Sequence, residues 1–172
     1  MNMRTFICKQ CGESTHVPEG ASSANCDYCG IESTFSKTRD ERIAGYFNRA
    51  EKLRGAHEYD KAIETYEQIV REDGTDAEAR WGLVLSKYGI EYVEEKSTGK
   101  RVPTFHRLSQ TSILADADYN KALEYADSHA KKIYEAEANK INEIQKKILA
   151  IASTADKHDA FICLLKMLSS AQ

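Results

Sequence analysis

Four of the five cysteines of the 172-residue chain stand in two Cys-x2-Cys pairs near its start. The pairs are Cys8 with Cys11 and Cys26 with Cys29, and 14 residues separate them. Two such pairs at this separation are typical of a tetrahedral site in which four thiolates hold one zinc ion. Because four sulfurs fill the coordination shell, the predicted cofactor is one structural Zn²⁺ with no open position for water.

Other chemistries share part of this pattern. The spacing alone also permits an iron–sulfur cluster, and a Cys-x2-Cys pair can act as a redox dithiol. Short strands are predicted at Thr5–Ile7 and Ser33–Phe35, leading into and out of the cysteine turns. Residues 1–38 are therefore predicted to form a zinc ribbon, which is too small to fold on an apolar core without its metal.

The net charge and the hydropathy of the chain argue against some classes of binding partner. The chain carries 24 basic and 27 acidic residues, a net charge of −3, which argues against nucleic acid and anionic lipid as partners. The ribbon itself carries slightly more acidic than basic residues, so it lacks the basic stripe of a phosphate-binding ribbon. No apolar run approaches the roughly 20 residues of a membrane span. With no secretory signal pattern and clustered cysteines, we expect a cytoplasmic protein.

Residues 40–153 are predicted to be helical. Apolar side chains recur at helical spacing in three stretches that end near Gly55, Gly74 and Gly89. The pattern Thr75-x-x-Glu78 predicts a capping box at the start of the third helix. Short connections between these stretches predict antiparallel neighbours.

One heptapeptide occurs twice in the helical part. Glu58–Glu64 has the sequence EYDKAIE, and Asp118–Glu124 has the sequence DYNKALE. The motif resembles the second helix of a tetratricopeptide repeat, in which a tyrosine and a small alanine let two helices pack closely. The resemblance implies one helix pair over residues 41–72. It implies a second pair formed by residues 77–89 and the stretch from 118 onward, with an insertion between them.

The insertion is predicted to hold a β-hairpin at about residues 91–107, turning at Ser97-Thr98-Gly99. Its basic residues are candidates for contact with an acidic partner or a phosphate, the alternative being a solvated loop face. They are Lys96, Lys100, Arg101, His106 and Arg107.

The stretch from Asp118 to Ser153 contains no glycine or proline. It therefore predicts one continuous helix, a rod of roughly 50 Å. Isoleucines alternate in steps of three and four along its second half. This stripe either packs within the chain or joins two copies of it, and it consists of Ile141, Ile144, Ile148 and Ile151.

The order of these elements resembles the amino-terminal region of a group of bacterial Toll/interleukin-1 receptor (TIR) domain proteins. The stretches that carry the resemblance are Trp81–Leu85, Tyr88–Val93, Ser112–Asp116, Ile144–Ile148 and His158–Cys163. The last of them is similar to the first strand of a TIR domain. The resemblance implies that residues 154–172 are a linker and a remnant of that strand, and that the part of the family that would consume NAD is missing here.

The sequence thus predicts a mainly α fold with a small N-terminal four-cysteine zinc ribbon, a tetratricopeptide-like antiparallel helical unit and a long C-terminal helix. We expect a non-catalytic interaction or scaffolding module, the regulatory part of a TIR-type signalling or defence effector. Its partner would be another protein or a second copy of the chain, with no small-molecule substrate. A nucleic-acid-associated ribbon and a fragment of a NAD-consuming TIR enzyme are the alternatives.

Overall fold

A computed structural model describes residues 3–8, 11, 13–38, 40–99 and 101–154. Two antiparallel hairpins form the ribbon, which here means residues 3–38. Their strands are β1 (Met3–Ile7), β2 (Ser14–Pro18), β3 (Ser23–Asn25) and β4 (Glu32–Thr34), paired in the order β1–β2 and β3–β4. The two strands predicted from the sequence overlap β1 and β4.

The helical body follows the ribbon. Its helices are α1 (Glu41–Gly55), α2 (Tyr59–Glu72), α3 (Ala77–Lys87), α4 (Ala117–Tyr125) and α5 (Ser128–Thr154). A third hairpin, β5 (Ile90–Glu94) with β6 (Arg101–Phe105), and a 3-10 turn at Ile113–Ala115 lie between α3 and α4. The prediction of a mainly helical chain with small antiparallel hairpins is confirmed, and so is the hairpin in the insertion.

Helix α3 is the element on which both cores are built. Every residue from Glu78 to Ser86 is buried. On one side Ala79 and Leu83 pack with α1 and α2. On the other side Trp81 and Val84 pack with the β5–β6 hairpin, α4 and α5. Since both cores share this helix, a change in α3 affects the whole helical body.

The predicted capping box of α3 is wrong. The N-cap is Asp76, whose Oδ1 accepts a hydrogen bond from the backbone N–H of Ala79 at 2.9 Å. The Thr75 hydroxyl instead donates to the Asp73 carboxylate at 2.7 Å. A carboxylate at the N-cap accepts the free amide and also interacts favourably with the positive end of the helix dipole.

The two copies of the heptapeptide each lie near the start of a helix. Tyr59 and Ala62 lie in the first turns of α2, and Tyr119 and Ala122 lie in the first turns of α4. All four residues are buried, and both alanines are 0% exposed. The motif therefore marks two helix starts at which a small residue allows close packing.

The continuous helix predicted from Asp118 to Ser153 is wrong, because the chain breaks at Ala126 and Asp127 into α4 and α5. Asp127 Oδ1 accepts hydrogen bonds from the backbone N–H groups of His129 and Ala130, at 3.1 and 3.0 Å. An aspartate that satisfies the first amides of a new helix can end the preceding one without glycine or proline. With 27 residues, α5 is about 40 Å long.

The isoleucine stripe of α5 faces the chain's own core. Ile141 and Ile148 are buried there, Ile144 is partly buried against the same core, and Ile151 is half-buried. Packing within the chain therefore accounts for the first three of these residues.

Polar contacts hold α5 to the segment before the 3-10 turn. Gln145 Nε2 donates to the carbonyl oxygens of Ser109 and Thr111, both at 2.9 Å. Ser112 donates to Asn142 at 2.7 Å.

Within the described residues, no helix has the length and apolar character of a membrane span. The linker and TIR-strand remnant are predicted at residues 154–172, of which all but residue 154 lie outside the described residues.

Gly82 of α3 lies directly against the Tyr66 ring of α2, and we predict that Gly82→Ala destabilises the protein. A Cβ at this position would lie 2.4 Å from carbon atoms of the buried Tyr66 ring. We expect a loss of roughly 1–3 kcal/mol in the free energy of unfolding, although alanine favours helix by about 1 kcal/mol. Denaturant unfolding followed by circular dichroism measures this loss.

The matched control is Gly45→Ala in α1, where the position is exposed and an added Cβ meets nothing within 4 Å. This variant should be as stable as the parent or slightly more stable. Equal stability of the two alanine variants would contradict the close packing of α2 on α3.

Candidate metal centre

The four predicted ligands converge on one point. The Sγ atoms of Cys8, Cys11, Cys26 and Cys29 all lie within 4.8 Å of one another. The Cys8–Cys29 and Cys11–Cys26 sulfur distances are 3.7 and 3.6 Å. Four sulfurs bonded to one tetrahedral ion at ~2.3 Å are separated by ~3.8 Å, whereas disulfide sulfurs are ~2.05 Å apart. The set therefore fits a single metal ion and not two disulfides.

Two turns of the same design carry the cysteines. Cys8 follows β1 and its N–H donates to the Glu13 carbonyl at 2.8 Å, while the N–H of Cys26, after β3, donates to the Ile31 carbonyl at 2.9 Å. Gly30 completes the second turn by donating to the Cys26 carbonyl at 2.9 Å, with φ at +69°. A side chain is strained at such a φ, so glycine suits this position.

Hydrogen bonds prepare one sulfur as a thiolate. The backbone N–H of Cys29, followed by the Thr15 hydroxyl at 3.5 Å, lowers the pKa of Cys26 to about 6. The opposite holds for Cys11: the backbone of Glu13 lowers its pKa, but desolvation and the other three cysteines raise it to about 12. Since thiolates are the ligands, a bound cation would displace the protons that remain.

Two helix caps hold the ribbon on the helical body. Asp76 Oδ2 accepts a hydrogen bond from the Ser36 hydroxyl, and Asp127 Oδ2 accepts one from the Ser22 hydroxyl. Lys37 Nζ lies 3.0 Å from the same Asp127 oxygen. Each aspartate therefore gives one carboxylate oxygen to the first turn of its helix and the other to the ribbon. Consistent with this, the Ser22 hydroxyl and the Ala130 amide hold the pKa of Asp127 below its usual range.

Strand β4 adds further contacts between the ribbon and the helical body. Glu32 contacts the His129 ring at the start of α5. Trp81, 1% exposed, lines a small cavity of about 40 Å³ together with Ile31 and Thr34 of the ribbon. Its indole Nε1 donates to the Glu137 carboxylate at 3.0 Å. Trp81 is the single tryptophan of the chain. Its fluorescence therefore reports on whether the ribbon is packed against the helical body.

The predicted basic contact residues are distributed over the hairpin and its exit. Lys96 is exposed near the turn, and Lys100 lies outside the described residues. Arg101 folds back on its own hairpin, where its Nε and Nη2 donate to the Tyr92 carbonyl at 3.1 and 2.7 Å. The Arg101 guanidinium therefore has a hydrogen-bond acceptor within its own hairpin.

His106 and Arg107 lie against the turn between α1 and α2. The His106 ring stacks on His57 with ring centroids 4.0 Å apart, and burial followed by the charge of His57 lowers the pKa of His106. Arg107 pairs with Asp60 at 2.8 Å and lies over the Tyr59 ring. Both residues thus dock the hairpin on α2.

The contacts made by the cap aspartates were not predicted from the sequence. The only local signal is an aspartate directly before or within a helical stretch, which is common in helical proteins. Nothing in the sequence indicates that Ser22 and Ser36 bind these caps, since they lie 105 and 40 residues away along the chain.

No protein-family model matches the chain, and comparisons with curated proteins and with solved structures find no match. The function is therefore inferred from the chemistry of the metal centre and from the surfaces around it.

We predict that Cys26→Ser abolishes stoichiometric metal binding. Cys26 is buried and contributes one of four convergent sulfurs, and a serine hydroxyl is a far poorer ligand for a soft site. The metal content of the purified protein, measured by mass spectrometry of the elements, should fall from about one ion per chain to well below one.

Cys163→Ser is the matched control, because four sulfurs already complete a tetrahedral shell. It should keep the full metal content. A Cys26→Ser protein that retains one tightly bound ion would contradict the four-sulfur site.

Proposed function

We propose that the chain is a non-catalytic protein-interaction module in which one structural Zn²⁺ fixes the ribbon on a helical scaffold. The observation that carries this proposal is the convergence of the four cysteine sulfurs within 4.8 Å. Four thiolates around one ion leave no coordination position for water or substrate, which is the arrangement of structural zinc sites.

The proximity of the sulfurs supports a single ion over an iron–sulfur cluster. Their separations of 3.6 and 3.7 Å suit bonds to one shared ion, whereas a cluster of several irons holds its cysteines around a larger inorganic core. Among single ions, tetrahedral all-sulfur sites favour zinc or iron. Zn²⁺ is the proposal, and metal analysis distinguishes it from iron.

The helical body supplies the scaffold of this proposal. The α1–α2 and α3–α4 pairs each place a copy of the heptapeptide at the start of the second helix, which supports a tetratricopeptide-like unit. Stacked helix pairs of this kind present extended surfaces to other proteins. The resemblance to the amino-terminal region of TIR proteins supports a regulatory role in a bacterial signalling or defence effector, acting in the cytoplasm.

Chelation tests the structural role of the metal. We expect purified protein to contain about one zinc per chain. A strong chelator should shift the emission of Trp81 to longer wavelength, because the cavity that Trp81 shares with the ribbon residues Ile31 and Thr34 opens to water. The circular dichroism of the helices should change little, since the two helical cores contain no ribbon residue. Zinc should restore the emission.

Incubation of the zinc-loaded chain with NAD is the companion measurement, and we expect no consumption. NAD turnover by the purified chain would contradict a non-catalytic module. Protein that is free of metal yet shows the same Trp81 emission as the zinc form would contradict the role of the ion.

A further inference from the structure

A groove separates the ribbon from helix α1. One wall is the β1–β2 hairpin, including Phe6, and the other is the face of α1 that carries Ala44, Asn48 and Glu51. These three α1 residues are exposed and recur at helical spacing along the wall. The cavity has a volume of about 370 Å³, within the range of roughly 300–1,000 Å³ that is usual for binding clefts.

The floor of the groove is aromatic. Phe6 and Phe35 contact each other with ring centroids 4.8 Å apart, and both rings are only partly buried. Phe47 of α1 also lines the groove and contacts Tyr66, with ring centroids 6.1 Å apart. A rigid aromatic floor is a surface on which an apolar side chain is desolvated favourably.

The charged residues that the structure describes in the lining of the groove are acidic. Among the described residues that line it, the charged ones are Glu51 and Glu78. A second cleft of about 310 Å³ shares Phe35 and Glu78 with the groove lining. The charged residues lining that cleft are Lys37, Asp73, Asp76, Glu78 and Asp127. Glu78 is buried and accepts a hydrogen bond from the Tyr134 hydroxyl, whereas Glu51 is exposed. The Glu51 carboxylate therefore gives the rim of the groove a negative charge that attracts cationic groups.

We propose that this groove binds a peptide segment of a partner protein in which a lysine or arginine stands beside a large apolar side chain. The apolar side chain covers the Phe6–Phe35 pair, and the basic side chain approaches Glu51 at the rim. The inference rests on the proposed interaction function and names the chemistry of the partner that the function requires.

Binding in this groove depends on the metal. One wall belongs to the ribbon, and the other belongs to the helical body. The four cysteines hold the ribbon together, and the contacts of Ser22 and Ser36 hold it on the helix caps. Loss of the ion removes one wall, so peptide and metal strengthen each other's binding.

Selection of random peptides displayed on phage against the immobilised zinc-loaded full chain tests the proposal. We expect enriched sequences that combine lysine or arginine with a neighbouring leucine or aromatic residue. A fluorescein-labelled peptide of the enriched sequence then gives the affinity by anisotropy. Glu51→Lys reverses the charge at the rim and should weaken binding about tenfold or more. Ala44→Arg places bulk in the groove and should weaken it as well.

The matched control is Glu64→Lys, which makes the same charge change at an exposed position on α2 outside the groove. It should bind within about twofold of the parent, as expected for a distant screened charge. Chelation should abolish binding to the parent, and zinc should restore it. Metal content and circular dichroism confirm that each variant is folded.

Three results would overturn the proposal. The first is enrichment of acidic or uncharged peptides. The second is an affinity that Glu51→Lys and Ala44→Arg leave unchanged, in which case peptides bind elsewhere and the interaction function survives without this groove. The third is a parent protein that dimerises with concentration and loses the dimer in Glu51→Lys, which would make the groove a contact between two copies. Failure to enrich any peptide would count against the interaction function itself.

Discussion

Four cysteine sulfurs held within 4.8 Å of one another repel when they ionise, unless a cation lies among them. The backbone N–H of Cys29 and the Thr15 hydroxyl lower the pKa of Cys26 to about 6, whereas the pKa of Cys11, which the Glu13 backbone lowers, is raised to about 12 by desolvation and the other three cysteines. A ribbon of two short hairpins buries too little apolar surface to fix this arrangement alone. A cation bound among the sulfurs would relieve this repulsion and would also determine whether the ribbon has a defined shape.

The helical body contacts the ribbon through the N-caps of two helices. Asp76 and Asp127 each divide their two carboxylate oxygens between a helix amide and a ribbon hydroxyl. The starts of α3 and α5 are thus satisfied by the same groups that hold the ribbon. Because α3 contributes to both cores, the contacts at its N-terminal end link the metal centre to the whole helical body. The groove between the ribbon and α1 is a consequence of this arrangement.

Local patterns in the sequence were enough to predict much of this architecture. Cysteine spacing predicted the four ligands because a metal site needs few residues in a fixed pattern, and apolar periodicity predicted the helices because each buries one face. The break at Ala126 and Asp127 was missed because an aspartate inside a helical stretch is a weak local signal for a new helix start, and its contact with Ser22, 105 residues away, has no local signal at all. The N-cap of α3 was misassigned to Thr75 because Thr75 and Asp76 are both good caps, and the structure selects the one that also reaches Ser36. No local pattern could place the ribbon beside α1, so the groove had no sequence signal.

X-ray absorption spectroscopy at the edge of the bound metal tests the central claim most directly. The account predicts the zinc edge and a single first shell of four sulfur atoms at ~2.3 Å. A first shell that mixes sulfur with nitrogen or oxygen would show that one of the four cysteines is not a ligand. Scattering from a second metal at short distance would show a cluster instead of a lone ion. Either result would contradict the closed site on which the position of the ribbon depends.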